Sequence, residues 1–140
     1  THGVNCENSP ELDSYIGLTG KGKSTGYDMG MIRYSYPESS GYDFTEMYFA
    51  FILENYTFKY SNSSSLGTYL EANASYNLPV RKDTSISVHA GHYQVSGGNN
   101  YFDINAAIHI SEFSLTISKV TASSLHNEDI KYFVSWNRSF

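Results

Sequence analysis

Apolar and polar residues alternate with a period of two along most of the chain. This period is typical of β-strands with one apolar and one polar face. The final segment shows it best, with Ile130, Tyr132, Val134, Trp136 and Phe140 on one parity, broken only by Arg138. About nine such segments occur, at residues 11–20, 26–36, 46–53, 56–61, 70–77, 85–90, 101–110, 113–118 and 130–140. No stretch keeps apolar residues at helical spacing for three turns, so the sequence predicts an all-β, antiparallel fold without helices.

The connections between these segments also alternate in character. One set is longer on average and rich in Ser, Gly and Asn: 37–42, 61–67, 96–100 and 121–129. The other set includes two turns of about two residues: 21–24, 54–55, 78–83 and 111–112. Transmembrane β-barrels combine longer extracellular loops with short periplasmic turns. The alternation therefore favours an up-and-down barrel.

The composition favours a membrane barrel over a soluble one. The chain has 140 residues, enough for one domain over 1–140, and only 16% of them are charged. The surface of a soluble domain usually carries about 25–35% charged residues. The alternating positions that form the polar face are mostly Ser, Thr, Asn and Tyr, which is typical of a barrel lumen. The positions between them form an apolar face, which is typical of contact with lipid. A soluble β-sandwich or barrel remains the alternative.

Aromatic residues near the ends of the predicted strands are candidates for interfacial girdles. They are Tyr42, Phe44, Tyr56, Tyr76, Tyr101, Tyr132 and Trp136.

Several function classes find little support in the sequence. The net charge of −5 without a Lys/Arg cluster argues against nucleic-acid binding. A metal site from His89, His92 and His109 is disfavoured because His89 and His92 face opposite sides of a regular strand. Serine is so abundant that a hydrolytic triad has no specific signal. We therefore expect no enzyme, cofactor or metal.

Pairing the predicted hairpins brings charged residues of the polar parity together. It places Lys59 across from Glu71, Glu71 near His89, and His89 near Asn105. It also places Gly91 near Asp103, which leaves room for a large neighbour such as Tyr93 or Tyr101. The predicted polar belt inside the barrel contains Glu46, Lys59, Glu71, His89, Asp103 and His109. Such a belt acts either as a charged constriction that selects solutes or as a lumen-filling network of paired charges.

The end of the chain resembles the C-terminal assembly signal of Gram-negative outer-membrane barrels. That signal is a final Phe preceded by mostly apolar residues at every second position. The residues that match it are Tyr132, Val134, Trp136 and Phe140. The resemblance implies insertion into outer-membrane lipid by the barrel assembly machinery, and we expect deletion of Phe140 to lower assembly.

An ordered set of short motifs resembles the TorF-like (Gcw_chp) family of proteobacterial proteins. The motifs lie at 11–17, 27–30, 33–37, 43–46, 69–72, 78–79, 89–93, 101–103 and 135–140. Members of this family are regarded as outer-membrane barrels of poorly defined function. They are longer at the N-terminus, which implies a full barrel of about 12 strands, of which this chain is the C-terminal portion. We expect the remaining strands to come from a missing N-terminal segment or a protein partner, with which Cys6 is able to pair.

These observations predict a passive small-solute channel or a structural component of the outer membrane. One alternative is a binding or scaffold barrel that recruits a partner through the Ser/Gly/Asn-rich loops. The other is a soluble β-sandwich that binds a ligand.

Overall fold

Nine β-strands form one antiparallel up-and-down sheet, in chain order, in the computed structural model. The structure describes residues 10–37, 40–79, 81–122 and 129–138. The strands are β1 (Leu12–Lys21), β2 (Thr25–Ser35), β3 (Phe44–Leu53), β4 (Tyr56–Ser63), β5 (Gly67–Asn77), β6 (Thr84–Val95), β7 (Tyr101–Ile110), β8 (Phe113–Ala122) and β9 (Lys131–Trp136). A short 3-10 helix, Ser40–Tyr42, lies between β2 and β3. The described ranges contain no helix that is long and apolar enough to cross a membrane. The predicted all-β, antiparallel, up-and-down fold is confirmed.

The sheet has one polar and one apolar face, because partners in register share a face and alternate residues do not. On β7, for example, Asp103 and Asn105 lie on the polar face, while Phe102 and Ile104 lie on the apolar face. The apolar face continues through Phe49 on β3 and through all the remaining strands of the sheet. The sheet therefore keeps one side almost free of charge across its whole width.

Burial along inner strands is the reverse of that in a water-soluble sheet, whereas the edge strands β1 and β9 are exposed on both faces. Along β7 every apolar-face residue is exposed and every polar-face residue is half-buried. Among the described residues, the buried Ala50, Ser61 and Ser63 all lie on the polar face. No second layer of structure covers that face within the described ranges. The sheet is therefore curled with its polar face on the concave side.

The two edge strands run in the same direction. In an antiparallel meander the strands alternate in direction, so β1 and β9, the first and the ninth, are co-directional. No pairing between them is present among the described strands, which form one continuous sheet with two free edges. This single sheet differs from a β-sandwich, in which two sheets pack face to face.

Two details of the sequence interpretation are wrong. The predicted loop 61–67 is mostly strand, because β4 continues to Ser63, which pairs with Gly67. Its polar residues are typical of a loop, but Ser61 and Ser63 instead belong to the polar face of a strand. The turn is tightened by the Ser63 hydroxyl, which accepts a hydrogen bond from the Leu66 amide at 3.2 Å.

The second correction concerns the aromatic girdle. Phe44 and Tyr101 lie on the polar face, in register with Tyr34 and Tyr93. Their position near a strand end does not decide which face they occupy. The face is set by alternation, because successive side chains of a strand point to opposite sides of the sheet. Of the other predicted members, Tyr56, Tyr76, Tyr132 and Trp136 lie on the apolar face.

Candidate functional site on the polar face

Charged side chains from four neighbouring strands meet on the concave polar face. Lys59 on β4 lies directly opposite Glu71 on β5, as the hairpin pairing predicts. The Lys59 Nζ is 3.9 Å from the Glu71 Oε1. The Glu71 Oε2 is in turn 3.6 Å from the Nδ1 of His89 on β6. The predicted neighbours Lys59, Glu71 and His89 therefore lie together in the structure.

Oxygen atoms lie against both ring nitrogens of His89. The Nδ1 is 2.7 Å from the Oδ1 of Asn73, the residue opposite His89 on β5. The Nε2 is 2.7 Å from the Oδ1 of Asp103 on β7 and 2.9 Å from the Tyr69 hydroxyl. The side chain of His89 is only 14% exposed. Its imidazole ring is therefore fixed by contacts with both neighbouring strands.

A glycine in the middle of β6 makes one of these contacts possible. Gly91 lies opposite Asp103, as predicted, and a Cβ at this position would overlap the Tyr69 hydroxyl. The ring of Tyr69 reaches across this gap, and its hydroxyl donates to the Asp103 carboxylate at 3.1 Å. An aromatic ring on a neighbouring strand commonly compensates for a glycine in a sheet in this way.

The large neighbour at Gly91 is thus Tyr69, not the Tyr93 or Tyr101 expected from the sequence. Those two rings stack on each other instead, with centroids 5.2 Å apart. They are partners in register on β6 and β7, so they contact each other directly and do not cover the glycine.

A second arrangement of the same kind lies on β1, β2 and β3. The Tyr15 and Tyr48 hydroxyls are 2.9 Å apart, although β2 separates their strands. Gly30 lies between them, and a Cβ there would come within 2.7 Å of the Tyr15 ring. The Tyr48 hydroxyl donates to the Asp28 carboxylate at 3.1 Å, so Tyr15 is the donor to Tyr48.

Lys59 joins the two arrangements into one network. Its Nζ lies 4.8 Å from the centroid of the Tyr48 ring, a cation–π distance, and it also faces Glu71. The resulting polar-face network draws at least one residue from each strand from β1 to β7. Its members are Tyr15, Asp28, Tyr48, Lys59, Tyr69, Glu71, Asn73, His89 and Asp103.

The charges of this network are balanced only in part. Three carboxylates, those of Asp28, Glu71 and Asp103, face one lysine and a histidine that is charged only when protonated. The side chains of Glu71 and Asp103 are 18% and 20% exposed. Charged side chains with so little exposure to solvent are stable where ion pairs and hydrogen bonds compensate for the lost hydration. The network therefore holds fixed charges in place, with an excess of carboxylates.

The remaining members of the predicted belt lie on the polar face but outside this network. Glu46 is in register with Ser63, at the loop end of β3. The Nε2 of His109 is 2.9 Å from the Ser87 hydroxyl, near the turn between β7 and β8. His92 lies on the apolar face, where it stacks on Phe102 with centroids 4.3 Å apart. Within the described ranges, no group of three or more His, Cys, Asp or Glu side chains is arranged to hold a metal ion.

The predicted belt did not include the tyrosines, the asparagine or Asp28 of the network. Tyr15, Tyr69 and Asn73 belong to the polar parity, but they carry no charge and do not stand out there. The mid-strand glycines are the available signal, because a glycine in a central strand marks a close approach from a neighbouring side chain. Gly30 lies between Tyr15 and Tyr48 in this way.

The predicted assembly signal is described in part. Tyr132, Val134 and Trp136 all lie on the apolar face of β9, while Phe140 and Cys6 lie outside the described residues. The Trp136 Nε1 donates to the Glu112 carboxylate at 2.8 Å, across the end of the β8–β9 pair.

No family model, curated protein or solved structure matches the chain significantly.

Proposed function

We propose that the protein is a transmembrane β-barrel of the bacterial outer membrane and forms a passive channel for small solutes. The observation that carries this proposal is the exposed apolar face opposite a concave polar face. Exposed apolar patches of this extent are unfavourable in water, whereas a lipid-facing band requires them. The resemblance to the TorF-like family and to a C-terminal assembly signal points in the same direction.

The height of the apolar band fits an outer membrane. On β7 the apolar face runs from Phe102 to Ile110, and such a strand, tilted by about 40°, spans about 20 Å. The apolar band of outer-membrane barrels is about 25 Å tall. Tyr56, Tyr76 and Trp136 lie at the short-turn end of this band, where interfacial aromatic residues are expected.

Closure of the proposed barrel requires additional strands. Unpaired backbone groups are costly in a bilayer, so the free edges of β1 and β9 need partners. Because these two strands run in the same direction, an odd number of added strands gives a fully antiparallel ring. A barrel of about 12 strands, as the family resemblance implies, needs three more.

The primary test is reconstitution of the protein, purified in detergent, into planar bilayers. A channel is expected to give discrete conductance steps that scale with salt concentration. Stable insertion without conductance would support the structural role instead. Recovery of folded, monodisperse protein in buffer without detergent would contradict both membrane proposals.

A binding or scaffold barrel is the second candidate. The connections that leave β2, β4 and β6 all start from the same end of the sheet, where a partner is able to contact them together. Next to the first of these, Arg33 pairs with Asp43 at 3.1 Å, and the Tyr36 amide donates to Asp43 at 2.8 Å. Shortening residues 96–100 to a two-residue turn is expected to abolish partner capture and to leave membrane insertion unchanged if this candidate is correct.

A further inference from the structure

The polar face next to the charged network contains a small cavity with uncharged, hydrogen-bonding walls. Its volume is about 150 Å³. The side chains that line it on the polar face are those of Thr57, Asn73, Ser75, Ser87, His89 and Asn105. They come from four adjacent strands, β4 to β7. Amide and hydroxyl groups therefore converge on one space.

Several of these groups have unused hydrogen-bonding capacity. Among the described residues, the side chains of Thr57, Ser75 and Asn105 form no hydrogen bond with another side chain or with the backbone. The Asn73 Oδ1 contacts His89, but its amide NH₂ group has no such contact. The hydroxyls of Thr57 and Ser75 and the carboxamide of Asn105 are able both to donate and to accept a hydrogen bond, whereas the Asn73 NH₂ group only donates. The cavity thus presents donors and acceptors close together, without a protein partner for them.

The charges nearby are already engaged in the network. Glu71 faces Lys59 and His89, and Asp103 accepts a hydrogen bond from Tyr69 and lies against His89. The only titratable side chain in the cavity wall is His89, and oxygen atoms already contact both of its nitrogens. An anion such as a sugar acid would lose hydration in the cavity and meet the excess of carboxylates in the network without gaining an unpaired positive charge. A neutral polar molecule exchanges its bonds to water for bonds to the cavity wall.

We propose that this cavity is a binding site for a small uncharged polyhydroxyl solute, of the size and chemistry of a monosaccharide. The hydroxyl groups of such a solute donate and accept, as the amides and hydroxyls of the wall do. Selectivity in pores depends on this match of lining donors and acceptors together with pore diameter. This inference rests on the proposed channel function, and it assigns the class of solute to it.

The test measures how glucose affects the KCl current through the purified protein in planar bilayers. Glucose is expected to lower the current in a saturable manner as it occupies the lumen. Glucuronate, a charged analogue with the same ring, is expected to have little effect at the same concentration. Asn105→Leu keeps the size of the side chain but removes its hydrogen bonds, so the apparent Kd for glucose is expected to rise by about three- to tenfold.

Thr116→Val is the matched control, because Thr116 lies on the polar face of β8 outside the cavity wall. It is expected to leave the Kd for glucose and the KCl conductance at their original values. The far-UV circular dichroism spectrum of Asn105→Leu in detergent is compared with that of the original protein, so that weaker glucose binding is not mistaken for a loss of folding.

The outcomes separate the two proposals. Conductance that glucose does not reduce, or reduces equally in Asn105→Leu, overturns the solute site and leaves the channel intact. An equal effect of glucuronate overturns the assignment to uncharged solutes. A protein that inserts without any conductance overturns the channel and the solute site together.

Discussion

The Tyr69 hydroxyl on β5 donates a hydrogen bond to Asp103 on β7, although β6 lies between the two strands. The contact is possible because Gly91, the residue opposite Asp103, has no side chain. Gly30 plays the same part between Tyr15 and Tyr48. Two mid-strand glycines thus allow side chains to reach across a strand, and these contacts connect the polar-face network over seven strands.

Gly91→Ala is expected to disrupt this connection. The added Cβ would overlap the Tyr69 hydroxyl and lie 2.6 Å from the Asp103 Oδ2, so both side chains have to move apart. Loss of their hydrogen bond and the local overpacking are expected to lower the free energy of unfolding by about 1–2 kcal/mol. Urea unfolding in lipid vesicles measures the change.

Gly41→Ala is the control for that variant. A Cβ at Gly41, in the connection between β2 and β3, meets no atom within 4 Å. Its stability is expected to stay within about 0.5 kcal/mol of the original. Equal stability of both variants would show that the space above Gly91 is not needed by Tyr69.

The strands and their pairing were largely predictable from the sequence, and the network was predictable only in part. Alternation identifies strands because each residue changes face, and folding the chain about the middle of the 61–67 connection gives the register that pairs Lys59 with Glu71. Contacts that cross a strand, such as Tyr69 with Asp103, do not follow from register, because they depend on ring orientation over a glycine. Local sequence also does not show whether β1 and β9 have partners, since pairing at an edge depends on other chain segments.

Lys59→Met is expected to increase the preference of the channel for cations. It removes the single lysine of a network that also holds Asp28, Glu71 and Asp103, so the negative potential across the lumen becomes stronger. The reversal potential in a KCl gradient is expected to shift in the direction of K⁺ selectivity. The shift is expected to be largest at low ionic strength, because salt screens the fixed charges.

Lys59→Arg serves as the control, since it retains the positive charge beside Tyr48 and Glu71. Its reversal potential is expected to match that of the original protein. If Lys59→Met and Lys59→Arg give the same potential, permeating ions do not sense the network, and its role is structural filling of the lumen.

Ile104→Arg distinguishes a lipid-facing surface from a water-facing one. Ile104 is 55% exposed and lies within the apolar band. In water, a substitution at so exposed a position changes stability by about 0.5 kcal/mol or less. In a bilayer, an arginine near the midplane costs about 2–4 kcal/mol. We therefore expect a large loss of stability in lipid vesicles.

Gln94→Arg provides the depth control for Ile104→Arg. Gln94 is also exposed on the outward face, but it lies at the loop end of β6, beyond the apolar band. An arginine near the interface is expected to cost about 0–1 kcal/mol. Equal effects of the two substitutions would contradict the proposed orientation of the strands in the membrane.

The terminal strand is expected to direct assembly through its apolar face. Deletion of Phe140 or the substitution Val134→Ser is expected to lower the amount of folded protein in outer-membrane fractions, because both remove apolar groups from the alternating signal. Lys131→Gln, which changes the polar face of the same strand, is the matched control and is expected to assemble normally. Val134 is 77% exposed and packs against little of the sheet, so its substitution affects recognition more than stability. Unchanged levels of both variants would show that the terminal residues do not act as an assembly signal.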